Sequence, residues 1–412
     1  MAIPTGFLAL PRQRERTLEA LEKKLDLLVL QTLLVLPAER AGDHALALGR
    51  VQAFLEAVAR SSARGALRAA LARVEVRAPV LGLRSGALAA EPALGAAIPA
   101  LLSALAAELG PGQRVEDVVW DAPVARLFDF ARERVLELDP PARGVYFDGA
   151  CLHVKREDGV SFALADAPAG EPVFHRVPGL PRAALAQRDG NPLAMHEEHP
   201  DKSGNRLDLG GRSAAEWCSA LADAVALIEL ALPALAAEIG KSLQRIVPVG
   251  FEPERHLSAS YREAPGLVYL TLHPSALTLA EAIIHETQHG KLNVLRWFDP
   301  VLTNADSTWT KSPVRPDLRP LAGVLLAVHA FVPVAAFHLR LEELGHPLAS
   351  TPAFAERRAQ VIAGNSAGLS TLLELGQATP IGKQVMDALA ELHALSVEHA
   401  PLEREASVSA LG

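Results

Sequence analysis

From about Arg12 to Leu136 apolar residues recur at three- and four-residue spacing, as at Leu18, Leu21, Leu25 and Leu28 and again through residues 45–58 and 97–109. That spacing predicts a run of helices with one apolar face each. Pro37, Pro79, Pro92 and the Gly110-Pro111-Gly112 triplet divide the run into helices of ordinary length. After about Pro140 the texture changes to β-forming clusters at 144–149, 151–155 and 160–164, with Asp158-Gly159 as a hairpin turn, which predicts a small antiparallel sheet. The polar, turn-rich stretches 188–192 and 199–204 read as surface loops. Helical spacing returns from Ser213, an N-cap with Glu216 three residues on, and continues to Ile239 with a break at Pro233. Strands are expected at 246–249 and 267–272, then a helix over about 278–298 and an apolar helix over 321–341. The chain thus divides into an N-terminal helical region, 1–137, and an α+β region, 138–412.

Half of the 412 residues are apolar and 21% are charged, which suits a globular protein with a large core. A net charge of −8 provides no basic field for nucleic acid, so no nucleic-acid partner is expected. Cys151 and Cys218 are too few for a disulfide framework and lack the spacing of a zinc knuckle, which fits a reducing cytoplasm. The N-terminal charges follow the short apolar stretch, the reverse of a secretory signal. The run 321–337 falls short of a bilayer span and contains His329 and Pro333, so it reads as a buried core helix and no membrane partner is expected.

The chemistry concentrates at 278–340. His285-Glu286-Thr287-Gln288-His289 puts two imidazoles four residues apart on one helical face, close enough to grip one divalent ion, with Glu286 beside them. The surrounding Leu279, Ala282, Ile283, Ile284, Leu292 and Leu295 predict a mostly buried helix, where unpartnered imidazoles would be costly. The bland alternative is a pair of core histidines held by ordinary hydrogen bonds. Leucine at both 292 and 295 excludes the metzincin ligand pattern, and no glutamate occurs between Glu286 and Glu342. His329, mid-way along the apolar helix, is the preferred third ligand; Asp299 and Asp306 stay open as carboxylate candidates. Pro333, four residues on, removes the N–H partner of the His329 carbonyl and predicts a local kink.

Three protein ligands would leave open positions on the metal, the condition for catalysis. Arg315 and Arg319, in the proline-stiffened loop before the His329 helix, are suited to holding a carboxylate, or else anchor the loop through Asp317 or Asp306. Ser258, Ser260 and Tyr261 precede the strand that leads to the metal helix and are candidates to reach the site; turn hydrogen bonds are the alternative. His256, His273 and His338 read as structural or solvent-facing. Trp297 and Trp309 either wall the pocket or pack in the core.

Asn191-Pro192 with His199-Pro200, Ser258-Ala-Ser260, Val268-Tyr-Leu270, the segment 280–289 with Lys291-Leu-Asn293, Ser312-Pro with Arg315-Pro-Asp and Arg319-Pro-Leu321, and the segment 323–332 form an ordered series. This series, over about residues 175–345, resembles the HExxH-type 2-oxoglutarate-dependent peptide β-hydroxylases, also described as HExxH-motif peptide-modification proteins. No motif in the N-terminal helices extends it. The resemblance implies an Fe(II) enzyme that consumes 2-oxoglutarate and O₂ and hydroxylates a β-carbon in a ribosomally synthesised precursor peptide. It assigns His285, His289 and His329 to iron, and Arg315 or Arg319 to the co-substrate carboxylate or the peptide; Ser258 and Ser260 join the cofactor-binding candidates from their place before the strand, not from the resemblance.

Glu286 separates this reading from the other one that the motif allows. In a zinc-dependent peptidase it would be the general base that activates water. In an oxygenase it is free to orient a ligand histidine. The expected fold is α+β, mainly α-helical, with a small antiparallel or mixed sheet and the HExxH helix packed against the second buried helix. It would lack the all-β barrel of common 2-oxoglutarate oxygenases. The substrate peptide is left open, as is the oligomeric state, with a homodimer among the options.

Overall fold

The computed structural model of the chain describes residues 10–11, 17–168, 171–196, 204–311 and 318–398. About 54% of the chain is helical and about 16% is strand, in small antiparallel and mixed sheets, so the protein is α+β and mainly helical, as its periodicity predicts. It divides into two compact units. One comprises Arg16–Glu229 with Ala236–Phe298, and the other contains Asp299 onward together with Leu230–Leu235.

The first unit opens with five helices: α1 (Thr17–Leu34), α2 (Ala45–Arg60), α3 (Arg64–Leu71), α4 (Val74–Ser85) and α5 (Ala90–Glu108). Leu18, Leu21, Leu25, Val29 and Leu33 are the buried stripe of α1, the three-and-four spacing read directly. The helical reading fails beyond Glu108. Strands β1 (Val118–Trp120), β2 (Val124–Asp129) and β3 (Arg134–Ala142) begin well before residue 137. β1 and β2 span only three and six residues, too few for their alternation to stand out from the helical pattern before them.

β4 (Gly144–Phe147), β5 (Leu152–Lys155) and β6 (Ser161–Ala163) join β1 in an antiparallel sheet of order β1-β4-β5-β6. The β5–β6 turn is the expected one. Gly159 has φ +80°, and Asp158 Oδ1 accepts from the Val160 N–H at 3.0 Å. β7 (Phe174–Arg176) and β8 (Ala184–Ala186) begin a second sheet, and α6 (Ala214–Ala231) and α7 (Pro233–Ser242) follow. The Ser213 cap forms reciprocally: its N–H donates to Glu216 at 2.8 Å, and the Glu216 N–H donates to Ser213 Oγ at 3.2 Å.

β9 (Arg245–Phe251), β10 (Ser258–Ser260) and β11 (Leu267–Leu272) complete a five-stranded mixed sheet of order β10-β11-β9-β8-β7. α8 (Ala276–Arg296) leaves β11 through a short turn and lies against β10, β11 and α1. The N-terminal helices are tied to this sheet by polar contacts: Arg245 donates to Glu75 at 2.7 Å, with both side chains buried, and Gln244 Nε2 donates to the Ala72 carbonyl at 2.9 Å.

The second unit holds a two-stranded ribbon, β12 (Trp309–Lys311) with β13 (Leu318–Pro320), then α9 (Leu321–Glu343), α10 (Pro352–Leu375) and α11 (Pro380–Glu398). α9 is one helix that runs through Pro333. Arg358, buried on α10, bonds Glu342 at 2.9 Å and the Ser396 carbonyl at 3.2 Å, which links α10 to its two neighbours. Ala90–Glu108 and Leu321–Glu343 are long and apolar enough to cross a bilayer, and 67% and 78% of their apolar windows are buried inside the protein, as in core helices.

Candidate metal centre

The turn from β11 into α8 is built by local hydrogen bonds. His273 Nδ1 accepts from the Ser275 N–H at 2.9 Å, and Ser275 Oγ caps α8 by accepting from the Thr278 N–H at 3.3 Å. With its start fixed, α8 directs His285 and His289 to one side, their ring centroids 4.2 Å apart and inclined at 55°. The ligand atoms of His285, Glu286 and His289 all lie within 4.8 Å of one another, the only such group of metal-binding side chains among the described residues.

Glu286 is buried, and both its oxygens are engaged. Ser258 and Ser260, two apart on β10, point to the same face of the strand and donate to Oε1 and Oε2, each at 2.6 Å. His289 Nδ1 stands 3.5 Å from Oε2. Burial alone would raise the Glu286 carboxyl, but the imidazoles of His289 and His285 with the Ser258 hydroxyl outweigh it and hold the acid well below the usual carboxylate range. The ionised carboxylate therefore favours a proton on Nδ1 of His289. That leaves the lone pair on Nε2, a buried nitrogen with no hydrogen-bond partner. Two imidazoles with converging nitrogens and an adjacent anion fit a divalent first-row transition metal.

The remaining candidates are distributed as follows. Arg319, half-buried on β13, runs along Gly323 in the second unit. His329 is buried at 1% exposure on α9 of that unit. Arg315 lies outside the described residues, as do His199, Pro200, Ser312 and Asp317. Asp299 caps a turn, accepting from the Val301 N–H and the Thr379 hydroxyl, each at 2.7 Å. Trp297 packs under the Arg262 guanidinium at 4.5 Å and donates to the Arg262 carbonyl, which anchors the end of α8. Trp309 is 61% exposed.

Two buried clusters around the site are not evident from motif reading. Lys291, two residues past His289, pairs with Glu238 of α7 at 2.9 Å. On the far side of β11, Tyr269 donates to Asp189 Oδ2 at 2.8 Å and accepts from Asn191 Nδ2 at 3.1 Å, while Asn205 donates to Tyr261 and Tyr261 to the Ala194 carbonyl. Asn191 is buried, so the stretch 188–192, read as a surface loop, is anchored inside the protein at that residue, where its polar groups are satisfied; 199–203 lie outside the described residues. The available signal was scarcity, because two of only three tyrosines in the chain sit in this network. Comparison of the sequence with models of known protein families and with curated proteins finds no match.

Proposed function

We propose that the protein is an Fe(II)- and 2-oxoglutarate-dependent oxygenase that hydroxylates a β-carbon of a residue in a ribosomally synthesised peptide. The observation that carries this reading is the state of Glu286: a buried carboxylate with a serine hydroxyl on each oxygen and an imidazole at its side. A peptidase base must present an oxygen to metal-bound water and take up its proton. A carboxylate committed to Ser258, Ser260 and His289 instead holds a ligand histidine in place.

His285 and His289 would hold the metal through ring nitrogens, with His329 on α9 as the third ligand that the resemblance implies. Such a set leaves positions for both oxygens of a 2-oxo acid and for O₂. Bound iron supplies the oxygen chemistry that an unactivated carbon requires. The chain's own contribution is to keep Glu286 ionised, to fix the His289 tautomer through Nδ1 and to keep bulk water from the carboxylate. Arg315 or Arg319 would hold the co-substrate carboxylate as a planar fork.

Protein reconstituted anaerobically with Fe(II) and then exposed to O₂ should release succinate only when 2-oxoglutarate is present. Glu286→Gln should retain part of that activity, with metal affinity lowered about 10- to 100-fold. Peptide cleavage on adding Zn²⁺, lost completely in the same variant and unaccompanied by succinate, would establish the peptidase instead.

A further inference from the structure

The two edges of the β12–β13 ribbon in the second unit differ. The Leu321 N–H donates to the Thr308 carbonyl at 2.9 Å, one step before the paired residues Trp309 and Pro320. Bonded and unbonded pairs alternate along an antiparallel ladder. Thr310 with Arg319 is therefore a bonded pair, and the N–H and C=O groups of Trp309 and Lys311 point outward along the free edge of β12. Among the described residues nothing bonds to these outward groups. On the opposite edge Pro320 has no N–H to offer. We propose that the β12 edge binds an extended peptide segment as an added antiparallel strand, with an apolar and an acidic side chain two residues apart. The inference rests on the peptide-modifying reading above for its place in catalysis.

The side chains select that ligand. Trp309, Lys311, Leu318 and Pro320 share one face of the ribbon, and Thr310 and Arg319 share the other. Arg319 lies along Gly323 of α9, so its face is turned to the helix and the Trp309 face to solvent. Trp309 is 61% and Leu318 62% exposed, which puts two large apolar groups side by side in water. Lys311, also exposed, makes no ion pair within the described protein. A residue of an added strand opposite Trp309 meets the indole, and one opposite Lys311 meets the ammonium group.

The size of the edge separates a peptide from a second copy of the chain. Each strand of the ribbon has three residues, far short of the roughly 1,200 Å² that a stable protein–protein interface buries. Backbone pairing with specificity from alternate side chains is instead how a sheet edge takes up a short peptide. β13 passes directly into α9, and His329 lies roughly 13 Å along that helix from Pro320, so a segment longer than the edge itself spans the interval.

The test uses full-length protein with a chelator present and the fluorescein-labelled peptide Thr-Thr-Glu-Thr-Val-Thr-Thr, followed by anisotropy. In an antiparallel added strand its valine faces Trp309 and its glutamate Lys311, and the N–H groups of those two residues point at β12. Saturable binding is expected, about tenfold weaker when the glutamate and valine are N-methylated and unchanged when only the threonine between them is. Lys311→Pro removes one outward N–H and none of the ribbon's own hydrogen bonds; it should weaken binding about three- to tenfold. Lys311→Glu should turn the preference to a peptide with lysine in place of glutamate, and both variants should keep the parent's melting temperature. Absence of binding, equal effects of the two N-methylation patterns, unchanged affinity in Lys311→Pro or an unchanged preference in Lys311→Glu would each overturn the proposal. Dimers that form without peptide and are lost in Trp309→Ala would overturn it too, by assigning the edge to a second copy. Because no metal or turnover enters the measurement, a failure to release succinate leaves this result standing, and the reverse also holds.

Discussion

Glu286 and Asp189 serve opposite faces of the β10–β11 pair. Ser258 and Ser260, opposite Leu270 and Val268, point toward α8, whereas Ala259 and its partner Tyr269 point away. Each carboxylate is removed from bulk water and fed by hydroxyl donors, yet the two hold their protons in opposite ways. Glu286 has two hydroxyls and two imidazoles, and its acid is held far down. Asp189 has one phenol and one backbone N–H, from Tyr269 and Asn191; burial outweighs them and pushes its carboxyl up to about 6. Hydrogen bonds alone do not keep a buried carboxylate charged here. The neighbouring imidazoles decide it, and they stand only on the α8 side.

The largest expected effect comes from removing those imidazoles. His285→Ala with His289→Ala should lower divalent-metal affinity more than about 100-fold, read as metal retained after equilibrium dialysis. Retention equal to the parent protein would mean that any ion is held elsewhere, and the contrast between the two faces would lose its functional meaning. Both substitutions leave Asp189 and Tyr269 untouched, so the far-face network serves as an internal control for folding.

A smaller effect is expected when the imidazoles stay and their support is removed. In Ser258→Ala with Ser260→Ala, the buried Glu286 carboxylate loses a charge-assisted hydrogen bond on each oxygen, at a cost of about 1.5–3 kcal/mol apiece in unfolding experiments. Metal affinity should fall about tenfold as His289 loses its fixed tautomer. Lower stability with unchanged metal affinity would reduce the serines to structural residues and remove Glu286 from any positioning role.

The parts of this site legible in the sequence were those whose spacing is local. The offset between His285 and His289, the cap at Ser213 and the Asp158-Gly159 turn each fall within one turn of chain, and each formed as read. The partners of Glu286 were not legible. Ser258 lies 28 residues away and meets it only because β10 pairs with β11 in one register. A slip of one residue would aim both hydroxyls at the other face. The same holds for Asp189 and Tyr269, 80 residues apart, whose hydrogen bond ties a polar turn to β11. The short strands from Val118 onward escape for a different reason: helical and alternating patterns cannot be told apart over three to six residues.

The smallest effect separates the two carboxylates by pH. Folded Asp189 keeps its proton up to about pH 6, while an unfolded aspartate releases it near 3.8, so between these values the folded state binds more protons and stability falls as pH rises. Its contribution is complete below about pH 4 and is lost as pH passes through 6. Glu286 runs the other way: its depressed acid contributes fully above the unfolded value of 4.5 and loses that contribution only as pH falls below it. From pH 4.5 to 7 Glu286 is therefore silent and Asp189 is not. Urea unfolding across that window should show the parent protein losing about 1–2 kcal/mol relative to Asp189→Asn, a figure reduced for the partial exposure of the group. Parallel curves for the two proteins would show that Asp189 titrates normally, and that the two faces of the strand pair do not differ in how they hold a charge.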